Sequence, residues 1–210
     1  MIGRRKVNSI ARFALSAPGI LLAITVHEVA HGWTAYAFGD PTAKRAGRLT
    51  FNPLAHLDIL GTIMLFLVHF GWARPVPVDP YNLRNPKRDM IWISLAGPGA
   101  NILTAFFLTR LMRLLAGIWL PDPLLYLLYF GMHINLILAF FNLLPVHPLD
   151  GEKVLVGLLP PWSAYRFAQL ERYGPLILIA VLLFDQMVFP VVRGTVGLLS
   201  SNLGRWMISF

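Results

Sequence analysis

The most restrictive stretch of this chain is an apolar run at residues 13–38 that carries ionisable side chains in its second half. The run is long enough to cross about 30 Å of hydrocarbon at about 1.5 Å per residue. Inside it stands Thr25-Val26-His27-Glu28-Val29-Ala30-His31-Gly32. Ionisable groups in such a segment are costly, so the fold must supply them with partners. On a helix, His27 and His31 are four residues apart and share one face. The H-E-x-x-H spacing lets two imidazoles hold one zinc ion while the Glu28 carboxylate reaches water at the metal. The chain has 6 His and three Glu (Glu28, Glu152 and Glu171). A shuffled chain of this composition contains the motif with a probability of about 0.002, so chance explains it poorly. By helical rise, His27 lies roughly 20 Å along the run, nearer its far end.

Composition extends that constraint to the whole chain. Hydrophobic residues make up 56% of the 210 positions, charged residues 13%, and the mean hydropathy is +0.61. Soluble domains are about 45–50% apolar and about 25% charged. The expectation is an all-α polytopic membrane protein: a bundle of five to six transmembrane helices with a small β-strand or hairpin connector. It forms a single membrane-embedded domain over residues 1–210, with a core at about 10–160 and C-terminal helices at about 174–210. With Cys at 0, disulfides and thiolate ligands are excluded, and any metal must be held by His, Asp or Glu. The net charge of +8 fits Lys and Arg flanking spans over anionic lipid. No nucleic-acid motif accompanies it, so no nucleic-acid partner is expected. Reading the first apolar run as a cleavable signal would remove the metal motif itself.

After the first run, Gly39 and Pro41 stop the helix. The polar connector GDPTAKRAGRLTFNPLAHLD follows; Arg48-Leu49-Thr50-Phe51 alternates and predicts a short strand that closes at Asn52-Pro53. Such a strand could be an edge for an extended peptide, or the stretch is a plain interfacial loop. Residues 59–72 are apolar but short for a span, which suggests a tilted or re-entrant helix. Residues 73–89 read as a proline-rich basic surface loop. Residues 90–120 and 124–144 predict two long helices. The first contains Gly97-Pro98-Gly99-Ala100-Asn101, where small residues permit close helix approach and Asn101 needs a partner, as helix–helix glue or as support for a ligand. A short helix at 151–159, a polar stretch at 160–172, a span at 174–192 and a short or surface-lying segment at 194–210 complete the reading.

A catalytic zinc keeps three protein ligands and one open position. Asp150 is the preferred third ligand: it follows a proline-broken helix in apolar surroundings. His147 is its competitor, and Asp150 could instead serve only as a helix cap. Glu152, two residues on, points elsewhere in any regular geometry.

These residues carry a resemblance. The chain resembles the site-2 protease family of intramembrane zinc metalloproteases through His27-Glu28-Val29-Ala30-His31, the GDPTAKRAGRLTFNPLAHLD connector, FGWARPVPV at 70–78, AGPGAN at 96–101 and NLLPVHPLDG at 142–151. It looks closest to small bacterial and archaeal members without PDZ or CBS domains. The resemblance implies one Zn2+ per chain held by His27, His31 and Asp150, Glu28 as general base, and Asn142 near the metal to orient substrate or stabilise the oxyanion. His147 departs from the small or apolar residue that members often carry there.

The resemblance further implies regulated intramembrane proteolysis: peptide-bond hydrolysis in or near transmembrane segments of membrane-protein substrates, by a multi-pass protein of a prokaryotic plasma membrane. A metal-binding transporter or channel, or a non-catalytic homologue, is the alternative; an intact Glu28 argues against the last. The basic start favours a cytoplasmic N-terminus. The resemblance places the metal motif toward the cytoplasm, which puts the N-terminus outside. Orientation, oligomeric state and substrate identity stay open at this level.

Overall fold

A computed structural model of the protein describes residues 9–68, 71–174 and 176–177. They form α1 (Ser9–Ala37), α2 (Thr42–Arg45), α3 (Ile59–Val68), α4 (Pro86–Leu114), α5 (Asp122–Asn142), α6 (Asp150–Leu158) and α7 (Pro161–Ala168), with 3-10 turns at Pro53–His56, Pro80–Asn82 and Glu171–Tyr173. The boundaries follow local chemistry. Gly39, at φ +109°, ends α1, and the Asp40 N–H closes the last turn on the Ala35 carbonyl at 2.9 Å. Asn85 caps α4 by accepting from the Arg88 N–H, with Pro86 in the first helical position, where its missing N–H costs nothing. Pro145 prevents α5 from continuing.

The long helices α1, α4 and α5 pack against one another, and α6 lies on α4. Ala105, Met132 and Leu136 form a buried seam between α4 and α5, flanked by Ile102, Phe106 and Phe140. Ala35, Leu83 and Ile93 form a second seam between α1, the loop before α4, and α4. Small residues set the spacing. A Cβ at Gly19 would meet Phe130 at 3.0 Å and the Gly131 backbone at 3.2 Å, so α1 and α5 approach closely there. The outer side of α4 leaves Leu103, Phe107 and Leu114 exposed. Among the described residues, α4 and α5 are long and apolar enough to cross a membrane.

Two expectations change, and a third is only partly covered by the described residues. The described residues contain no strand at 48–51; their one β-bridge joins Leu57 to Ala73. Pro75 and Pro77 lie in the neighbouring segment and have no N–H to donate to a ladder. A side chain does the joining instead: the Arg48 guanidinium donates to the Arg74 carbonyl at 2.6 Å and the Pro75 carbonyl at 3.3 Å. The count of five to six spans is likewise not reached among the described residues. Among the described residues of the apolar stretch 59–72 the helical part is the 10-residue α3, about 15 Å long, and Trp72 lies so close to its start that a Cβ on Gly61 would meet the Trp72 carbonyl oxygen. The expected span at 174–192 lies almost wholly, and the segment at 194–210 wholly, outside the described residues. Finally, the helix expected from 151 begins at Asp150, with Leu149 as its cap residue, so Asp150 is not an N-cap.

One buried carboxylate ties the connector down. Asp40 accepts from the Thr42 N–H at 3.0 Å, the Thr42 hydroxyl, the Asp79 N–H at 2.7 Å and Asn82 Nδ2 at 2.9 Å. It joins the end of α1 to the loop that leads into α4. Burial alone would raise the pKa of Asp40, but the donors from Thr42, Asp79 and Asn82 outweigh it and hold the carboxyl below its ordinary 3.8. A depressed folded-state pKa stabilises the fold above the unfolded value, and that stabilisation is lost as pH falls through the folded value. Asp40→Ala is expected to cost on the order of 3 kcal/mol at neutral pH by orphaning these donors. In thermal melts of detergent-solubilised protein, the wild-type advantage over Asp40→Asn should shrink as pH drops below 3.8.

Candidate metal centre

His27 and His31 lie on one face of α1, four residues apart, and Asp150 reaches them from the first turn of α6. All three are buried. The two Nε2 atoms are 3.0 Å apart, with the rings edge to face at 87°. Asp150 Oδ2 is 3.1 Å from each Nε2. The structure therefore brings together the three side chains that the motifs single out, although 119 positions separate His31 from Asp150 in the numbering.

Hydrogen-bond direction decides what these three atoms carry. Asn101 Nδ2 donates to the Ala23 carbonyl at 2.9 Å and to Asn135 Oδ1 at 2.8 Å. A carbonyl can only accept, so the Asn101 amide is oriented with its oxygen toward His27 Nδ1, 2.7 Å away. His27 Nδ1 must then hold the proton. His31 Nδ1 likewise donates to the Ile93 carbonyl at 2.7 Å. In neutral rings both Nε2 atoms are left with bare lone pairs aimed at each other and at a carboxylate oxygen. Asp150 Oδ2 is buried without a hydrogen-bond partner. Three lone-pair atoms at that spacing repel unless a cation stands among them. Tetrahedral zinc with bonds of about 2.0–2.1 Å has ligand–ligand edges of about 3.3–3.4 Å, close to the observed triangle. The donor set, two imidazoles and a carboxylate, fits zinc.

Glycines make this convergence possible. A Cβ at Gly97 would lie 2.5 Å from His31 Nε2 and 2.7 Å from His27 Cε1, so α4 supports the imidazole pair with a bare backbone. Gly99, two residues on, would meet nothing within 4 Å. A Cβ at Gly151 would strike the Leu143 carbonyl oxygen at 2.2 Å, so only glycine lets the start of α6 seat against the end of α5 with Asp150 turned inward.

A cavity of about 380 Å³ opens on the centre, lined by His27, Glu28, His31, Trp72, Val76, Asn142, Asp150 and Lys153 among others. Glu28 is buried beside the pair, and its Oε2 accepts from the Val76 N–H at 2.8 Å. Asn142 is on the cavity wall, with Nδ2 donating to the Leu138 carbonyl at 3.0 Å. His147 does not join the centre; it faces Glu152 at 3.3 Å. The motifs did not single out Asn135, the Ile93 carbonyl or the Val76 N–H. An Asn in the middle of the apolar helix α5, at 135, is the one signal among these that the sequence carried.

Comparison with known proteins agrees. The model of peptidase family M50 matches residues 120–184. The chain is 39% identical over 170 residues to a Bacillus subtilis protein named "Putative zinc metalloprotease YwhC", covering 77% of each chain. It is 36% identical to the similarly named MJ0611 of Methanocaldococcus jannaschii, covering 70% of this chain and 72% of that one. It is 29% identical to the similarly named Rip2 of Mycolicibacterium smegmatis, over 85% and 70%. No solved structure matches.

Gly97→Ala is expected to abolish metal retention, whereas Gly99→Ala should leave it unchanged. Asn101→Ala, which frees the His27 ring, should weaken metal affinity by about 10–100-fold. Metal content and cobalt titration of the purified variants check all three.

Proposed function

This chain belongs to peptidase family M50, the site-2 protease family of zinc metalloproteases, and from that premise we propose that it cleaves peptide bonds in or near transmembrane segments of membrane proteins. In this reading His27, His31 and Asp150 are the zinc ligands, Glu28 is the general base, and the protein is multi-pass in a prokaryotic plasma membrane. One observation supports it above the others: three buried lone-pair atoms within 3.1 Å of one another, beside a buried glutamate, on a cavity of about 380 Å³.

Zinc bound there supplies Lewis-acid activation of water and of the scissile carbonyl. The protein does the rest. Asn101 and the Ile93 carbonyl hold both imidazoles in the tautomer that presents Nε2. Glu28 takes the proton from the attacking water and returns it to the leaving amine. The Val76 N–H fixes one Glu28 oxygen and leaves the other for proton transfer. Asn142, on the cavity wall, steadies the substrate carbonyl; its second amide hydrogen is not the one given to Leu138. The apolar part of the lining, including Val76, Leu138 and Phe141, lowers the local dielectric around these charges. A helical substrate must unwind before its carbonyl is accessible, so segments with residues of low helix propensity are favoured.

Reconstitution with single-span substrates tests this. Glu28→Gln should lower cleavage by about 10²–10⁴-fold while metal is retained. Zinc flux across the vesicle without cleavage would favour transport instead and overturn the reading.

A further inference from the structure

Three side chains outside the first centre also converge. His147 lies in the turn between α5 and α6, Glu152 in the first turn of α6, and Glu171 opens the 3-10 turn after α7. Each brings one donor atom within 4.8 Å of the others. His147 Nδ1 is 3.3 Å from Glu152 Oε2 and 3.8 Å from Glu171 Oε1. Glu152 is buried, so its charge needs compensation. Among the described residues, neither carboxylate has a Lys or Arg within ion-pair distance. A neutral imidazole has at most one hydrogen on Nδ1 and cannot satisfy both carboxylates.

The packing around the cluster is tight where it must be. A Cβ on Gly174 would come within 2.4 Å of His147 Cβ and 2.7 Å of Cδ2. Only a bare glycine lets the turn that carries Glu171 close over the imidazole. A surface cavity bounded by His147, Gln169, Glu171 and Arg172 leaves room for water to complete a coordination shell. The Glu171 side chain is 60% exposed, so it can shorten its 3.8 Å approach at little cost, toward the roughly 3.3 Å edges of a four-coordinate site.

We propose that His147, Glu152 and Glu171 form a second site for a divalent transition metal of the zinc class, which clips the turn after α7 to the loop that delivers Asp150. One imidazole and two carboxylates make a nitrogen–oxygen set that suits zinc, cobalt or manganese better than calcium. The site shares no ligand with the first centre.

Chelator-stripped full-length protein in detergent, titrated with Co2+ and then Zn2+, tests this through bound metal per chain, the cobalt absorption spectrum and the thermal melt. Wild type should bind two ions per chain, and the His27→Ala/His31→Ala double variant one. That remaining ion, and the rise in melting temperature it brings, should vanish when His147→Ala or the near-isosteric Glu152→Gln is added. His147→Ala alone should bind one ion. A double variant that melts cooperatively yet binds none, or an ion that survives both additions, overturns the proposal. Should the double variant fail to fold, wild type against Glu152→Gln decides it: two ions against one supports the site, and equal binding refutes it.

Discussion

Everything in this fold answers to the mutual repulsion of three unprotonated atoms held inside an apolar bundle. His27 Nε2, His31 Nε2 and Asp150 Oδ2 stand 3.0–3.1 Å apart, with both ring protons committed elsewhere. Left alone, that arrangement would relax by rotating side chains or protonating a ring. The surrounding backbone resists rotation. Gly97 brings α4 against the imidazoles, Gly151 seats α6 on the end of α5, and α1 is pinned between α4 and α5. Packing energy therefore pre-organises the ligands against their mutual repulsion, and cation affinity is the return on that confinement.

The polar chain behind His27 obeys the same logic in an apolar medium. Asn101 and Asn135 are fully buried, and a half-satisfied amide there would cost more than an apolar replacement. Asn101 uses both of its amide hydrogens, on Ala23 and Asn135, and its oxygen accepts a hydrogen bond from His27 Nδ1–H. Asn135 passes the demand on to the Gly131 carbonyl of its own helix at 2.8 Å. The network thus joins α1, α4 and α5 through their polar groups at the level of the metal centre. It supports helix association and ligand orientation together, so the two roles open to Asn101 on sequence alone are not alternatives.

Local periodicity explains what could be read from the residues alone. His27 and His31 were legible because helical spacing by itself puts them on one face. Asp150 was legible as a carboxylate out of place in apolar surroundings, though its pairing with α1 depends on how α5 and α6 meet. Gly97 could be read as a close-packing residue, but what it packs against is set by the rotation of α4 relative to α1, which no local pattern encodes. The strand expected at 48–51 failed for a related reason. Alternation described one segment correctly, while the prolines that forbid a ladder sit some 25 positions away. Asp40 carried no signal of its own between the helix stops Gly39 and Pro41, since its partners Asp79 and Asn82 come from the far side of α3.

Those same prolines resolve how irregular backbone can border the cavity. Backbone polar groups away from water must be paired. In the stretch from Arg74 to Pro77 the demand is small, because Pro75 and Pro77 carry no N–H. The Arg74 N–H goes to the His56 carbonyl at 2.9 Å, and the Arg74 and Pro75 carbonyls go to Arg48. One donor is left, the Val76 N–H, and Glu28 accepts it. Alternating proline with valine thus leaves an extended wall whose single remaining donor is spent on the glutamate of the metal motif. Any residue with an N–H in place of Pro75 or Pro77 would add a donor that this stretch must pair. The wall and the glutamate consequently constrain each other: the segment is held over the cavity by the carboxylate, and the carboxylate is held toward the cavity by the segment.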